Sequence, residues 1–418
     1  MADQLQLESR PRLLYLGHNF PYPPHEGALI RSFHTVRLLA KAFDIEGIYF
    51  YRASALGTEA ERVRAAEEMG RFGSVSFHPI DQEHDFFRLV LDHARSVLTG
   101  ESYTRWAYDS QAFRAAVRSA LTGRDVDIVH VDSIDLFGYL PELPDRIPVV
   151  LAHHNVESQL LRRRSKGARF PASAYLRRQA DLVERAEREW CPRVALNVVV
   201  SEDDGDVLRR IAPQARYFES PNGVDTAELT PSEQKPSGGL VFVGGHGWFP
   251  NADGMDYFAD EILPLVHSSH PDVGVRWVGR FSDPEIRERY ARKGVEALGY
   301  VEDMRPEVRN ARCVIVPLRV GGGTRLKILD AWSLGKAVVS TSRGCEGLKV
   351  QDEENILIAD RPEDFAAAVR RVLDEPDLRT RLEAGARRTV ERHYDWPILG
   401  DALVTRYRRL MRIGLGNG

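Results

Sequence analysis

The chain has 418 residues and a formal net charge of −4, and 43% of its residues are hydrophobic and 28% charged. This composition is typical of a globular protein with two or three domains, and the small negative charge argues against a general nucleic-acid binder. No apolar run reaches the ~18 residues of a membrane span, and the N-terminus lacks the layout of a secretion signal. The three cysteines are far apart and form no metal-binding pattern. We therefore expect a cytoplasmic protein.

Short apolar runs alternate with helix-patterned segments along the chain. In chain order, the predicted strands are 12–17, 45–50, 128–131, 149–152, 196–201, 240–245, 275–279, 313–318 and 337–341. Strands that alternate with helices predict parallel βαβ units, so we predict an α/β fold with doubly wound sheets. Ligands of such sheets bind beyond the carboxyl ends of the strands.

A polar segment rich in proline, glycine and serine interrupts the alternation at 230–239, and its composition is that of a linker. It divides the chain into a first domain at 1–229 and a second at 240–395. The remaining segment, 396–418, has the pattern of an amphipathic helix that follows a proline. With two domains, the cleft between them is the expected ligand site.

A proline-rich loop at 19–27 follows the first predicted strand, and Gly27 precedes a predicted helix that carries Arg31 one turn further on. A glycine there would let backbone N–H groups approach a phosphate or a sugar. The alternative is an ordinary strand-to-helix loop with a surface arginine, since short glycine motifs often match by chance.

His153 and His154 follow the strand predicted at 149–152, so they lie at the ligand-binding edge of the sheet. An imidazole there can donate to a sugar hydroxyl or a phosphate, or serve as a general acid or base. The alternative is a hydrogen-bonded pair at a strand end. A metal site is disfavoured, because neighbours on a strand face opposite ways and no third ligand is spaced nearby.

The segment 161–170 is basic, and Arg177 and Arg178 follow it. Basic residues flanked by apolar ones could hold anionic lipid headgroups or a diphospholipid-linked acceptor. The alternative is a solvated helical face, which runs of arginine commonly form.

Three glycines, Gly321, Gly322 and Gly323, lie between the strand predicted at 313–318 and a predicted helix. A glycine-rich turn at a helix N-terminus favours a phosphate, because backbone N–H groups and the helix dipole both attract an anion. The segment continues with two cations and a carboxylate, and its further candidate residues are Thr324, Arg325, Lys327 and Asp330. A nucleoside diphosphate needs cations for its phosphates and a carboxylate for its ribose hydroxyls. The alternative for Lys327 and Asp330, which share a helix face, is a simple ion pair.

Six segments resemble, in order, the motifs of retaining GT-B glycosyltransferases of glycosyltransferase family four, and the resemblance covers nearly the whole chain. The segments are 21–33, 154–157, 221–225, 250–253, 298–303 and 321–341. The first is similar to the N-terminal loop of a bacterial exopolysaccharide-associated sugar transferase subgroup. The segment 250–253 resembles a turn of that subgroup, 298–303 resembles the segment that holds the nucleobase, and 321–341 resembles the donor signature.

The resemblance implies a GT-B fold, with two Rossmann-like domains that face each other across a cleft and a C-terminal helix that crosses back to the first domain. It implies transfer of a sugar from a UDP- or GDP-sugar, bound by the second domain, to a glycan, lipid-linked or small-molecule acceptor on the first. The anomeric configuration is retained, and no metal or other cofactor is required. The implied catalytic residues are His154, Arg325 and Lys327. The implied donor-binding residues are Gly27, Arg31, Asn222, Val301, Gly321, Gly322, Gly323, Thr324 and Asp330. The basic segment, at Arg162–Arg169, is then a candidate for peripheral contact with the inner face of a membrane.

The chain departs from the family pattern in its second domain. Gly322 and Asp330 occupy the positions of the two glutamates of the donor signature, and the usual arginine and lysine early in the domain are not evident near 244–254. One alternative is therefore a catalytically weak homologue that only binds a nucleotide sugar. Another is a sugar-nucleotide epimerase of GT-B architecture. A dinucleotide dehydrogenase is disfavoured, because no GxGxxG motif follows the first strand with an acidic residue after the next one.

Overall fold

The computed structural model describes residues 10–25, 27–53, 55–83, 85–123, 125–281, 283–321 and 325–415. It divides into two compact units, Met1–Pro221 with Gly400–Gly418, and Asn222–Leu399. The division falls before the predicted linker, so residues 222–229 belong to the second unit rather than to the first. The reason is local pairing: Val224 bridges to Asp395, and its N–H donates to the Tyr394 carbonyl at 2.8 Å.

The first unit is a parallel sheet with helices between its strands. Its strands are β1 (Arg12–Gly17), β2 (Asp44–Tyr51), β3 (Ser74–Pro79), β4 (Ile128–Val131), β5 (Val149–Ala152), β6 (Leu196–Val199) and β7 (Tyr217–Glu219). Its helices are α1 (Gly27–Leu39), α2 (Glu59–Gly70), α3 (Phe86–Thr99), α4 (Tyr103–Ala107), α5 (Gln111–Gly123), α6 (Glu157–Gly167), α7 (Ala172–Trp190) and α8 (Glu202–Ile211), with 3₁₀ turns at Asp81–Glu83 and Ile134–Glu142. The strand order is β3-β2-β1-β4-β5-β6-β7, so the direction of winding reverses between β1 and β4.

β1 shows how the sequence builds a buried parallel sheet. Its side chains alternate between the two faces, so that Leu14 and Leu16 enter one core layer while Leu13 and Tyr15 enter the other. Because helices cover both faces, the strand reads as a continuous apolar run rather than an alternating one. This is why the sequence predicts β1 at its observed bounds.

The second unit repeats this architecture. Its strands are β8 (Leu240–Val243), β9 (Val275–Val278), β10 (Val295–Gly299), β11 (Cys313–Val316), β12 (Val338–Ser340) and β13 (Leu357–Ile358). Its helices are α9 (Phe249–Tyr257), α10 (Leu263–His267), α11 (Pro284–Arg292), α12 (Arg305–Asn310), α13 (Leu326–Ser333), α14 (Pro362–Asp374) and α15 (Pro376–His393), with a π-helical turn at Phe258–Ile262. The parallel strands follow the order β10-β9-β8-β11-β12-β13, which reverses between β8 and β11.

The last helix, α16 (Trp396–Leu415), starts in the second unit and continues into the first. Leu403 and Tyr407 are buried in the core layer that contains Leu13, and the Tyr407 hydroxyl lies 2.6 Å from Nδ1 of His130. The predicted return of the C-terminal helix to the first domain is therefore confirmed.

The predictions differ from the structure at one turn and at the four edge strands β3, β7, β10 and β13, which are absent from the predicted set. The segment 250–253 is the first turn of α9 and not a turn between elements. No strand was predicted at 74–79, where β3 carries serine, histidine and proline at an edge of the sheet, a place where polar residues and proline are tolerated. Among the described residues, no helix combines the length and the apolar character that crossing a bilayer requires.

Candidate functional site

Three polar side chains follow three neighbouring strands of the first sheet. His18 comes directly after β1, Asp132 directly after β4, and His154 two residues after β5. Because parallel neighbours end at the same edge, these side chains meet: His18 Nδ1 lies 3.6 Å from Asp132 Oδ2, and His154 Nε2 lies 3.4 Å from Asp132 Oδ1. We call His18, Asp132 and His154 the histidine–aspartate cluster.

Asp132 is buried and ionised at the centre of this cluster. The Ser32 hydroxyl donates to its Oδ2 at 2.6 Å, and His130 Nε2 lies 3.4 Å from its Oδ1. Burial by itself would raise the pKa of Asp132, but its interaction with His154 and hydrogen bonds from the surrounding imidazoles hold that pKa well below its usual range. The sequence analysis missed Asp132, although an acidic residue directly after a buried strand was a signal that could have found it.

The pKa values of the two imidazoles of the cluster shift in opposite directions. Burial lowers the pKa of both rings, but for His18 the hydrogen bond and charge of Asp132 outweigh burial and raise the pKa. For His154 burial dominates, and the charges of His18 and Arg31 lower its pKa further. His154 is therefore neutral at pH 7 and can accept a proton, while His18 retains positive charge to higher pH.

His153 has a different environment from His154. Its ring is buried, its Nε2 lies 3.1 Å from Oδ1 of Asn197, and burial lowers its pKa to about 4. His153 is therefore a packing residue, whereas His154 belongs to the cluster. This is expected because neighbouring residues at a strand end face opposite ways.

The cluster also corrects the argument against a metal site. One ligand atom from each of His18, Asp132 and His154 lies within 4.8 Å of the others, so the third ligand that seemed to be missing is supplied by other strands. Two imidazoles and a carboxylate are a donor set that suits zinc. The Arg31 charge, which already lowers the pKa of His154, opposes a cation here.

The other candidates of the first unit have different surroundings. Gly27 is exposed at the start of α1. Arg31 is only 5% exposed, and its Nη1 donates to the Ser220 carbonyl at 2.7 Å, so the surface-arginine alternative is wrong. Glu157, in the first turn of α6, accepts from Asn155 at 3.3 Å. Burial and the charge of Asp135 raise the pKa of Glu157 to about 7, which makes it an acid–base candidate that the sequence analysis missed.

A second constellation lies at the carboxyl edge of the second sheet. Lys327, on α13, donates from Nζ to Oδ1 of Asn251 at 2.7 Å, and Nζ lies 4.2 Å from the ring centroid of Phe242. A Cβ atom on Gly244, directly after β8, would lie 2.9 Å from that Nζ and 2.6 Å from Asn251 Nδ2. The absence of a side chain on Gly244 therefore leaves space for Lys327, which extends from α13 to the turn after β8.

Lys327 and Asp330 do not pair with each other within the described residues, so the ion-pair alternative is wrong. Burial and the charge of Arg325 lower the pKa of Lys327 to about 7. Burial raises the pKa of Asp330 to about 7. Neither group has a counter-ion among the described residues that would keep it charged. A ligand could supply the missing partner of each group. Arg325 is buried, donates to the Arg343 carbonyl at 3.0 Å and lies 3.8 Å from Glu346.

The remaining candidates lie around this constellation or away from it. Gly321 has a φ of 122°, and a Cβ on it would lie 3.4 Å from Trp248, which is 46% exposed. Gly322, Gly323 and Thr324 lie outside the described residues. Val301 follows β10 and packs on the core of the second unit. Asn222 is buried and begins the segment that pairs with Asp395.

Two family models match consecutive parts of the chain. Residues 76–228 match the model described as Glycosyltransferase Family 4, and residues 238–375 match Glycosyl transferases group 1. The two matches identify both parts of the chain as glycosyltransferase domains, the first of them of family 4. They support the family that the motifs suggested.

The curated relatives of this chain are distant and only partly covered. It is 26% identical over 208 residues to phosphatidyl-myo-inositol mannosyltransferase of Mycolicibacterium smegmatis, a match that covers 47% of this chain and 53% of the relative. It is 28% identical over 192 residues to a component of phosphatidylinositol N-acetylglucosaminyltransferase of Arabidopsis thaliana, which covers 43% of this chain and 41% of the relative. The chain thus spans about half or less of the length of these relatives.

Solved structures match the chain over nearly its full length. Anabaena HepE in complex with UDP has a TM-score of 0.65 at 11% identity, covering 95% of this chain and 100% of that one. Sucrose-phosphate synthase from Thermosynechococcus elongatus has a TM-score of 0.67 at 15% identity, covering 96% and 100%. At these identities the likeness concerns the fold, and the predicted GT-B fold with two Rossmann-like domains is confirmed.

Proposed function

We propose that this protein transfers a hexose from a nucleoside diphosphate sugar, a UDP- or GDP-sugar, to an acceptor, with retention of configuration and without a metal. The observation that carries the proposal is Lys327. Its ammonium lies at the carboxyl edge of a Rossmann-like sheet, held by Asn251 and without a carboxylate partner among the described residues. A diphosphate leaving group supplies the missing negative charge, and a fixed cation stabilises it as the bond to the sugar breaks.

In this proposal the second unit binds the donor and the first unit binds the acceptor. The second unit binds the donor through Lys327, Arg325 and Asp330, and the ribose hydroxyls donate to Asp330. The first unit binds the acceptor, and neutral His154 contacts the sugar or takes the acceptor proton. HepE has been crystallised with UDP, with UDP and glucose, and with UDP-glucose, which supports a nucleotide-sugar donor for this fold.

The acceptor is proposed to be a glycan or a lipid-linked molecule. The names of two relatives specify phosphatidylinositols, which supports a lipid-linked acceptor. The basic segment 162–169 would then contact anionic headgroups, and the protein would act at the inner face of a membrane in polysaccharide biosynthesis.

Two other functions remain as alternatives. A catalytically weak homologue would bind a nucleotide sugar and turn over nothing, but the neutral His154 beside ionised Asp132 favours chemistry over binding alone. An epimerase needs an acid–base carboxylate, and Glu157, with its pKa of about 7, is one. Product analysis separates these functions.

The decisive experiment combines binding with product analysis. A panel of UDP- and GDP-sugars is screened for an increase in melting temperature, because a ligand of the folded state raises it. The donors that bind are then incubated with lipid-linked and glycan acceptors, and NMR of the product gives the anomeric configuration. Binding without transfer favours the weak homologue, and a change of the donor's own stereochemistry favours the epimerase.

The pH dependence of UDP binding should reverse between two variants. In Asp330→Asn the remaining titrating group is Lys327, whose charged form a diphosphate favours, so affinity should fall as pH rises through about 7. In Lys327→Met the remaining group is Asp330, whose ionised form accepts from the ribose, so affinity should rise over the same range. Each slope can reach about tenfold per pH unit, and calorimetry between about pH 6 and 8 measures both. Parallel slopes would contradict the assignment of these two groups.

Transfer should be insensitive to chelation. Because Lys327 and Arg325 supply the positive charge near the diphosphate, EDTA followed by desalting should change the rate by less than about twofold. Metal analysis of the desalted protein is the control. A rate that collapses and returns with added zinc would instead assign a metal to the histidine–aspartate cluster.

A further inference from the structure

Helix α3 of the first unit has its apolar side turned outwards. The exposed apolar side chains on this helix are Phe86, Phe87, Val90, Leu91, Val97 and Leu98, and Phe87 and Leu98 are each 84% exposed. At 3.6 residues per turn they fall within an arc of roughly 140°. Such a continuous exposed apolar face is unusual, since isolated exposed apolar residues are the norm.

The side of α3 that faces the protein is the polar one. Asp92 and Ser96 are fully buried there, and Asp92 accepts from Arg88 at 2.9 Å. Ser96 accepts from Gln179 at 2.7 Å, and His93 Nδ1 lies 2.6 Å from the Tyr175 hydroxyl. The helix is therefore fixed on the first unit by polar contacts with α7, and its outward apolar face does not contribute to the core. That face needs another occupant.

Helix α7, which bonds to α3, and helix α6, which packs on α7, both expose cations. Arg178, on α7, donates to the Val97 carbonyl at the end of α3 at 2.9 Å. The α6–α7 region further exposes cations that form no ion pair with any described residue, namely Arg163, Arg164, Lys166, Arg169 and Arg177. Between these helices Phe170 is 84% exposed. The chain as a whole is negative, so this concentration of positive charge is local.

We propose that α3 is a membrane-docking helix that lies in the surface of an anionic bilayer, with its apolar face among the acyl chains. Phe170 inserts beside it, and the cations of α6 and α7 contact the lipid headgroups. An apolar face flanked by cations is the arrangement that binds such an interface, because apolar burial and attraction to anionic lipid act together. The cations distinguish the bilayer from a second copy of the chain, because a symmetric pairing through α3 would bring two unpaired positive patches together.

This inference extends the proposal of a lipid-linked acceptor. It rests on that proposal only for the reason why the protein would bind a membrane. Vesicle binding is measured without donor or acceptor, so its failure is distinguishable from a failure of the transfer reaction. The full chain is sedimented with vesicles of phosphatidylcholine alone or with phosphatidylglycerol mixed in. The wild-type protein should bind the anionic vesicles and bind less as salt is raised.

Two sets of variants and a matched control test the surface. Phe87→Glu with Leu98→Glu should lower vesicle affinity on the order of tenfold or more, because both side chains leave the apolar phase. Arg163→Gln with Arg164→Gln should weaken binding to anionic vesicles and reduce its salt dependence. Val63→Glu, on exposed α2, makes the same kind of change at a site that is 51% exposed and should leave binding unchanged. All variants should keep the wild-type melting temperature.

The inference is overturned if the α3 variant binds vesicles as well as the wild type does. It is also overturned if wild-type protein ignores anionic vesicles and sediments as a dimer that the α3 changes dissociate, since a second copy would then be the occupant. Equal loss of binding in the Val63→Glu control would likewise remove α3 from the explanation.

Discussion

Replacing Lys327 by methionine should lower turnover by about 10²- to 10³-fold while folding stability changes little. Methionine keeps an unbranched apolar side chain of similar length beside Phe242, so packing is largely retained. What is lost is the ammonium, whose pKa burial and Arg325 already lower to about 7. A half-buried cation without a counter-ion contributes little to stability, and the loss of its bond to Asn251 costs about 1 kcal/mol. Turnover falls far more, because the leaving diphosphate then has no ammonium to face.

Lys349→Met is the matched control for this variant. Lys349 is an exposed lysine of the same unit, and no side-chain bond from its ammonium to a described residue is found. Its replacement should leave both turnover and UDP affinity at wild-type values. If Lys327→Met retains full turnover, the lysine does not stabilise the leaving group. If Lys327→Met loses turnover only because it is unfolded at the assay temperature, the role assigned to Lys327 is contradicted as well.

Replacing His154 by alanine should lower turnover by about 10²- to 10⁴-fold, which is the range for a general acid or base. The imidazole is kept neutral at pH 7 by burial and faces ionised Asp132 at 3.4 Å. UDP affinity should be unchanged, because the assigned role concerns the acceptor and the sugar. Steady-state rates and UDP calorimetry on the same preparation measure the two effects. Wild-type turnover would remove His154 from the mechanism.

Asp132→Asn separates positioning from chemistry in the same cluster. The change keeps the size of the side chain but removes the charge that raises the pKa of His18. The His18 pKa should therefore fall, and NMR titration of labelled histidine measures this without any substrate. The variant should also be less stable than His154→Ala, because Asp132 is buried among Ser32 and the imidazoles, and an altered buried hydrogen-bonding group costs about 1–3 kcal/mol.

The alternation of apolar runs determined the fold class from the sequence. Buried parallel strands such as β1 and β11 are continuous apolar segments, and helical segments separate them, so a doubly wound architecture follows from local pattern. Short or polar edge strands such as β3 and β13 could not be predicted in this way, because their stability comes from pairing with a neighbour rather than from their own residues.

The boundary between the units was decided by contacts and not by composition. The segment 230–239 has the composition of a linker, yet residues 222–229 already belong to the second unit, because Val224 and Thr226 bond to Tyr394 and Asp395 far along the chain. No local pattern records such a pairing. The same holds for α3, an amphipathic helix whose polar side the structure turns inwards and whose apolar side it turns outwards.

The sequence by itself determined which residue types could bind a nucleotide sugar and at which strand ends they lie. One motif, for example, contains both the lysine and the aspartate of α13. Only the tertiary structure decided what these side chains contact. Lys327 joins Asn251 from a different helix instead of pairing with Asp330, and His154 meets Asp132 and His18 from two other strands. The physical reason is that parallel strands bring distant segments to one edge of a sheet, and burial at that edge then sets the charge each group carries.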